Sequence, residues 1–163
     1  MMKHCRIAVF YVGCLVTTLL FTNVFANDKP NTIPDRQLIE RAVLDYIESQ
    51  HQGDGDMMAR SLDETLAKRT YWLGKDHEEF VLETDFDTMI KVANTYNKSG
   101  DKFPTNPRVE IRILDIDNRV ASVKLTVDDW IDYMHLYKTR DGRWLTVNVL
   151  WQFRDESKHA STN

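Results

Sequence analysis

The chain offers few residues whose type and spacing could do chemistry, and the most telling is Asp132. It lies in the stretch Trp130 to Trp151, where Asp141-Gly142 is the two-residue turn that joins twisted antiparallel strands. A two-residue loop predicts that Thr139 faces Trp144, His135 faces Asn148 and Asp132 faces Trp151. Alternation then places Met134, Leu136, Leu145, Val147, Val149 and Trp151 on one side, with Asp132 as the one acid among them. Tyr133, His135, Tyr137, Trp144, Thr146 and Asn148 take the other side. The oily side is read as core. On the outer side, the Asn148 amide could fix the tautomer of His135. The same aromatic, hydrogen-bonding composition is also what protein interfaces are enriched in.

Other constellations point to simpler roles. Asp76-His-Glu-Glu79 could invite a metal, but no second histidine stands three or four residues away, which favours a solvated loop. Gly53-Asp-Gly-Asp56 has the composition of a calcium loop without its later glycine or terminal glutamate, and helix capping accounts for it. Lys68 and Arg69 could lead an anionic ligand inward, or form a solvated edge with Asp63 or Glu64 as partner. His51 closes a predicted helix, where a cation complements the dipole. Asn97-Lys-Ser99 is a glycosylation sequon, meaningful only in a host that glycosylates exported proteins. No Gly-rich phosphate loop, Gly-x-Ser-x-Gly elbow or cysteine nucleophile is present, which sets aside kinases, typical hydrolases and thiol enzymes. No cofactor and no metal are expected.

The elements that must position these residues follow from periodicity. Ile39, Ala42, Val43, Tyr46 and Ile47 recur at three and four residues after the cap-like Thr32-Ile-Pro-Asp35, predicting a helix whose Arg41, Asp45 and Glu48 stay wet. Gly53-Asp-Gly55 breaks it. Asp54 or Asp56 then caps a short second helix carrying Met57, Met58, Ser61 and Leu62. Leu66 to Leu73 reads as a strand. Thr84-Asp-Phe-Asp87 opens a third helix through Phe86, Met89, Ile90 and Ala93, ending near Asn97 before a loop rich in Gly, Pro, Asn and Ser. Val109 to Ile113 and Ala121 to Val127 alternate as strands about a turn at Asp117-Asn118, and the adjacent pair Ile113-Leu114 suggests a bulge that leaves this register open. Residues 154–163 read as a polar tail.

The 163 residues, 42% hydrophobic and 28% charged, suit one domain with its own core. Residues 1–26 read as a signal peptide: Lys3 and Arg6, an apolar run from Ile7 to Phe21, and small residues up to a cleavage site after Ala26. The run, interrupted by Thr17 and Thr18, barely reaches the ~18 residues of a membrane span. Tyr11-Val-Gly-Cys14 is a poor lipoprotein box, and lipidation at Cys14 is the lesser alternative. Both cysteines, Cys5 and Cys14, lie in this leader, so the mature chain has no thiol or disulfide. Losing Lys3 and Arg6 moves the formal charge from −4 to −6. An acidic surface without a basic stripe argues against nucleic acid or anionic lipid as partners. Residues 27–31 form a lead-in and 32–153 the domain.

The order helix, helix, strand, helix and four antiparallel strands (ααβαββββ) resembles the α+β, cystatin-like cone of the nuclear transport factor 2-like superfamily, in which three N-terminal helices pack on a strongly curved, mostly antiparallel sheet. Within it the chain is similar to small bacterial domains grouped as putative lumazine-binding or SnoaL-like. Gly53-Asp54, Ser61 to Arg69, Ala121-Ser-Val-Lys124, Asp132-Tyr133 and Asp141 to Trp151 carry the resemblance. These motifs mark packing and turns, and a fold of this kind houses enzymes, binders and bare dimerisation modules.

The resemblance implies a pocket between the concave sheet face and the helices, with Asp132, Met134 and Trp151 looking inward beside Tyr46 and Trp72. It also implies pairing of two copies through the convex face, with Tyr133, His135, Tyr137, Trp144 and Asn148 at the homodimer contact. Three readings stand open. The first is an exported, periplasmic or secreted domain that binds a small apolar or aromatic ligand. The second is a proton-transfer enzyme, an isomerase, dehydratase or cyclase, in which a desolvated Asp132 is base or acid and Tyr46 polarises a carbonyl. The alternative to that catalytic role is that Asp132 accepts hydrogen bonds from a tyrosine hydroxyl, an indole N–H or Arg69 and orders the sheet. The third reading is a structural or adaptor domain whose cone is filled by its own side chains and whose only working surface is the convex sheet.

Overall fold

The computed structural model describes residues 33–161. The expected signal peptide, the lead-in and Cys14 lie outside the described residues. Among those described, no helix is long and apolar enough to cross a membrane.

Helix α1 (Asp35–Gln52) buries the stripe its periodicity demands, with Ile39, Ala42, Val43, Tyr46 and Ile47 all at 8% exposure or less. Its N-cap is Pro34, with no side-chain cap bond, and Gly53 ends it at φ +73°, a left-handed conformation suited to glycine. Asp45, expected to stay wet, is instead covered between Arg41 and Arg60, the latter holding both its oxygens at 2.8 and 3.1 Å. The Asp54 carboxylate caps α2 (Gly55–Ser61) by accepting from Met57 N at 2.9 Å. Gly55 N donates to Asn94 Oδ1 at 2.9 Å, an approach so close that a Cβ at Gly55 would fall 2.5 Å from the Asn94 amide. Helix α3 (Phe86–Thr95) is capped by Asp85, which accepts from Thr88 N at 2.9 Å.

The strands are β1 (Leu62–Leu73), β2 (Glu79–Thr84), β3 (Val109–Asp117), β4 (Val120–Val127), β5 (Trp130–Lys138) and β6 (Trp144–Phe153). They form one curled, open sheet in the order β2-β1-β6-β5-β4-β3, antiparallel throughout except where β1 runs parallel to β6. The order is therefore ααββαββββ, one strand more than the sequence pattern predicts. β2 is a mostly exposed edge whose residues show no clean alternation of burial. Asp76-His-Glu-Glu79 forms the turn into it, with Gly74 N donating to Glu78 O at 2.9 Å. The bulge suspected at Ile113-Leu114 is present: Leu114 is the extra residue between the pairs Ile113–Val123 and Asp115–Ser122.

The β5–β6 hairpin departs from expectation twice, and the departures cancel. Its loop has three residues, since Thr139 N donates to Arg143 O at 2.8 Å and Lys138 pairs with Trp144, with Gly142 at φ +90°. A bulge at Val147 then restores the expected register, so His135 faces Asn148, Met134 faces Val149 and Asp132 faces Trp151. Between loop and bulge the faces are swapped. Trp144 and Thr146 turn inward with Leu136 and are 3% and 0% exposed, while Leu145 opposes Tyr137. Trp144 is thus no part of a convex surface.

The expected polar tail is a docked strap. After a single 3₁₀ turn (Glu156–Lys158), Leu73 N donates to His159 O at 2.8 Å and Ser161 N to Leu73 O at 2.9 Å. His159, 2% exposed, stacks on Tyr71 at 4.3 Å and packs against Trp72, Trp151 and Phe153. Its Nε2 accepts from Phe153 N at 2.7 Å, which requires a neutral ring at that nitrogen.

Candidate functional site

Strand β1 alternates so that Leu66, Lys68 and Thr70 all face the helices, and this puts an ammonium group inside the fold. Lys68 Nζ lies 2.8 Å from Asp132 Oδ1 and 2.6 Å from the Tyr46 hydroxyl, with side-chain exposures of 9% for Lys68 and 0% for Asp132. Trp130, two residues before Asp132 and on the same face of β5, donates its Nε1–H to Asp132 Oδ2 at 2.9 Å. Each carboxylate oxygen therefore holds a donor, one of them a cation. That is the geometry of a charge partner, not of a base awaiting substrate. Burial, and next the Asp132 charge, push the Tyr46 phenol well above its usual value, so it stays protonated.

Lys68 forms part of the floor of a cavity of about 180 Å³. Gln50 reaches it from α1, one turn beyond Tyr46, and its Nε2 donates to Tyr46 O at 3.3 Å. Met89 and Val92 from α3 and Tyr96, which caps its C-terminus, supply one wall at helical spacing, and Thr84, Trp130, Trp151 and Phe153 come from the sheet. The Lys68 ammonium sits 4.9 Å from the Trp151 ring centroid and 5.3 Å from that of Tyr46, within cation–π range. The Trp151 indole N–H is buried and has no partner among the described residues.

Of the residues expected at a pocket, Trp151 lines the cavity, while Asp132 and Tyr46 stand directly behind it as the two partners of Lys68. Met134 is buried in the core and is not part of the lining. Trp72 shares the inner parity of β1 but lies beyond the cavity, its Nε1 donating to Ser161 Oγ at 3.1 Å under the strap. On the convex side Tyr133 is 45% exposed, His135 and Asn148 meet at 3.1 Å, and the Tyr137 hydroxyl donates to Asp63. Arg69, on the opposite face of β1 from Lys68, pairs with Glu83 at 2.8 Å.

Lys68 is the residue that sequence reasoning undervalued, and the signal for it was its inner parity on β1 together with an unmatched acid on β5. Trp130, Gln50, Tyr96 and Phe153 were also missed. His51 is no helix-end cation, because burial pushes its pKa down and its ring meets Phe103 edge-on at 4.1 Å. The Asn97 amide is engaged, donating to His51 O at 2.9 Å. Among the described residues, no three metal-ligating side chains gather at one point.

The model of a family described as "putative lumazine-binding" matches residues 34–152, a span that contains every cavity residue except Phe153. No curated protein sequence matches. Similar solved structures include a nuclear transport factor 2-like protein of unknown function from Shewanella baltica OS155, 18% identical over 76% of this chain and 98% of that one, with a TM-score of 0.56. Another, from Silicibacter pomeroyi DSS-3, is 15% identical over 75% of this chain and 100% of that one, with a TM-score of 0.58. A third, from Methylobacillus flagellatus KT, is 19% identical over 76% and 94%, with a TM-score of 0.53. At these identities the likeness is one of fold.

Proposed function

The chain belongs to the "putative lumazine-binding" family of the nuclear transport factor 2-like superfamily, and from that membership we propose that it is a small-molecule binder that takes a compact, mostly apolar ring between sheet and helices. The observation that carries this reading is the cavity: about 180 Å³, walled by Met89, Val92, Tyr96, Trp130, Trp151 and Phe153, with one ammonium at its floor. Mostly apolar walls around a few convergent polar groups are the usual make-up of a ligand pocket. An adaptor filled by its own side chains would have no need of such a space. The proton-transfer reading loses support because Asp132 is fully occluded and holds a donor on each oxygen.

The leader-like residues 1–26 favour a working place outside the cytoplasm, and exposed Tyr133 and His135 on the convex face favour pairing with a second copy there. The test is to heat the mature protein with a panel of ring compounds, lumazine first because the family's description names it, while following tryptophan fluorescence. A ligand that binds only the folded state adds about 2.7 kcal/mol at 100 times its Kd, and the melting temperature rises accordingly. A panel that moves neither the melting temperature nor the emission would remove the binder reading.

A further inference from the structure

We infer that the ligand is an uncharged molecule bearing a hydrogen-bond acceptor, such as an aromatic ketone or another ring carbonyl, anchored by Lys68 with its charge preference set by Asp132. This rests on the small-molecule reading above. An ammonium has three donors and no acceptor. Two N–H groups of Lys68 are spent, on the Tyr46 hydroxyl at 2.6 Å and Asp132 Oδ1 at 2.8 Å, and one remains. Of the fully buried side-chain polar atoms without a partner among the described residues, the one that belongs to the cavity lining is Trp151 Nε1–H, again a donor only. The spare Lys68 N–H and this indole both call for an acceptor, and buried donors are rarely left without one.

The charge of that acceptor follows from Asp132. Lys68 and Asp132 are the only formally charged pair at the floor among the described residues, and together they are neutral. Lys158, 5.8 Å from the ring of the lining residue Phe153, is paired with Asp129 at 3.0 Å, so it brings no unmatched charge either. A carboxylate entering this site would meet an ammonium whose charge is already matched, leaving a net negative charge in a poorly hydrated place. An amine would set a second cation against Lys68. A carbonyl disturbs neither, and it takes the spare N–H. As to size, an apolar cavity of ~150 Å³ takes one benzene, so about 180 Å³ suits one ring with a short substituent.

Four one-ring probes separate the possibilities by ligand-observed NMR: acetophenone, benzoate, benzylamine and toluene. The wild type is expected to bind acetophenone about tenfold more tightly than the two ions, and more tightly than toluene, the margin one good hydrogen bond gives. Asp132→Asn unmasks the Lys68 charge, and benzoate should then overtake acetophenone; a merely structural role for Asp132 would weaken all four probes alike. Lys68→Met combined with Asp132→Leu, which leaves no stranded charge, should erase the advantage of acetophenone over toluene, and this keeps the idea testable should the asparagine variant not fold. If the wild type prefers benzoate or benzylamine, the neutral-acceptor inference is overturned while the cavity survives as a binding site. If none of the four binds although a compound of the melting panel does, this inference is overturned and the binder reading stands; if nothing binds in either experiment, both fail.

Discussion

Two clusters of the same three side-chain types stand at opposite ends of the β5–β6 hairpin, and burial separates them. At one end Asp132 takes Lys68 Nζ at 2.8 Å and Trp130 Nε1 at 2.9 Å. At the other Asp35, in the first turn of α1, takes Lys138 Nζ at 2.6 Å and Trp144 Nε1 at 3.1 Å. The first ion pair is 9% and 0% exposed, the second 30% and 35%. Water still reaches the Asp35 pair, so the two charges attract weakly there and the cluster acts as a clasp between helix and hairpin. The Asp132 pair has given up its hydration, and each charge depends on the other. Identical chemistry therefore builds a site floor in one place and a fastening in the other.

The largest expected effect tests that dependence. Lys68→Ala strands a buried carboxylate and should cost about 3–5 kcal/mol, read from urea unfolding, whereas Lys138→Ala should cost about 1 kcal/mol or less. Replacing both members of the buried pair, Lys68→Met with Asp132→Leu, should recover most of the loss, because a well-packed apolar pair is often as stable as a buried ionic one. Similar losses for the two alanine variants would erase the contrast. A smaller effect separates the indoles. Trp130→Phe and Trp144→Phe shrink a buried ring alike, but only the first leaves an occluded oxygen without a donor, so its cost should exceed the second by about 1–2 kcal/mol.

The two clusters were unequally legible in the sequence. Alternation located Asp132 on the inner face, and the β4 residues Ala121, Val123, Leu125 and Val127, all buried, show how well a strict period of two reports a core. The α1 stripe was as plain, and the apolar pair at Leu114 betrayed its bulge. Lys68 was obscured because a lysine beside an arginine in a strand is ordinarily solvated, and its partner lies 64 positions away. Trp144 was misplaced because a three-residue loop and a bulge at Val147 each shift the faces by one: Asp141-Gly142 suits a two-residue turn as well as the end of a three-residue loop, and the bulge leaves no residue signature. His159 gave no signal, since the hydrogen bonds that dock it go to the backbone of Tyr71, Leu73 and Phe153, which no side-chain pattern encodes.

The smallest expected effect is the sharpest check on the exposed clasp. Hydrogen bonds from Lys138, then from Trp144, hold the Asp35 carboxyl below its ordinary value of 3.8. The unfolded chain thus binds that proton more readily than the folded one, so the contribution is fully present above 3.8 and is lost as pH falls through the depressed value. Asp35→Asn should cost at most about 1 kcal/mol at neutral pH and low salt. That difference from wild type should vanish in acid, and at about 1 M salt, where screening acts within ~3 Å, it should shrink as well. The loss in Lys68→Ala should persist in the same salt, because buried charges are screened far less. An Asp35→Asn cost that ignored both pH and salt would mean that the clasp is held by packing of Trp144 and the α1 start, with the ion pair incidental.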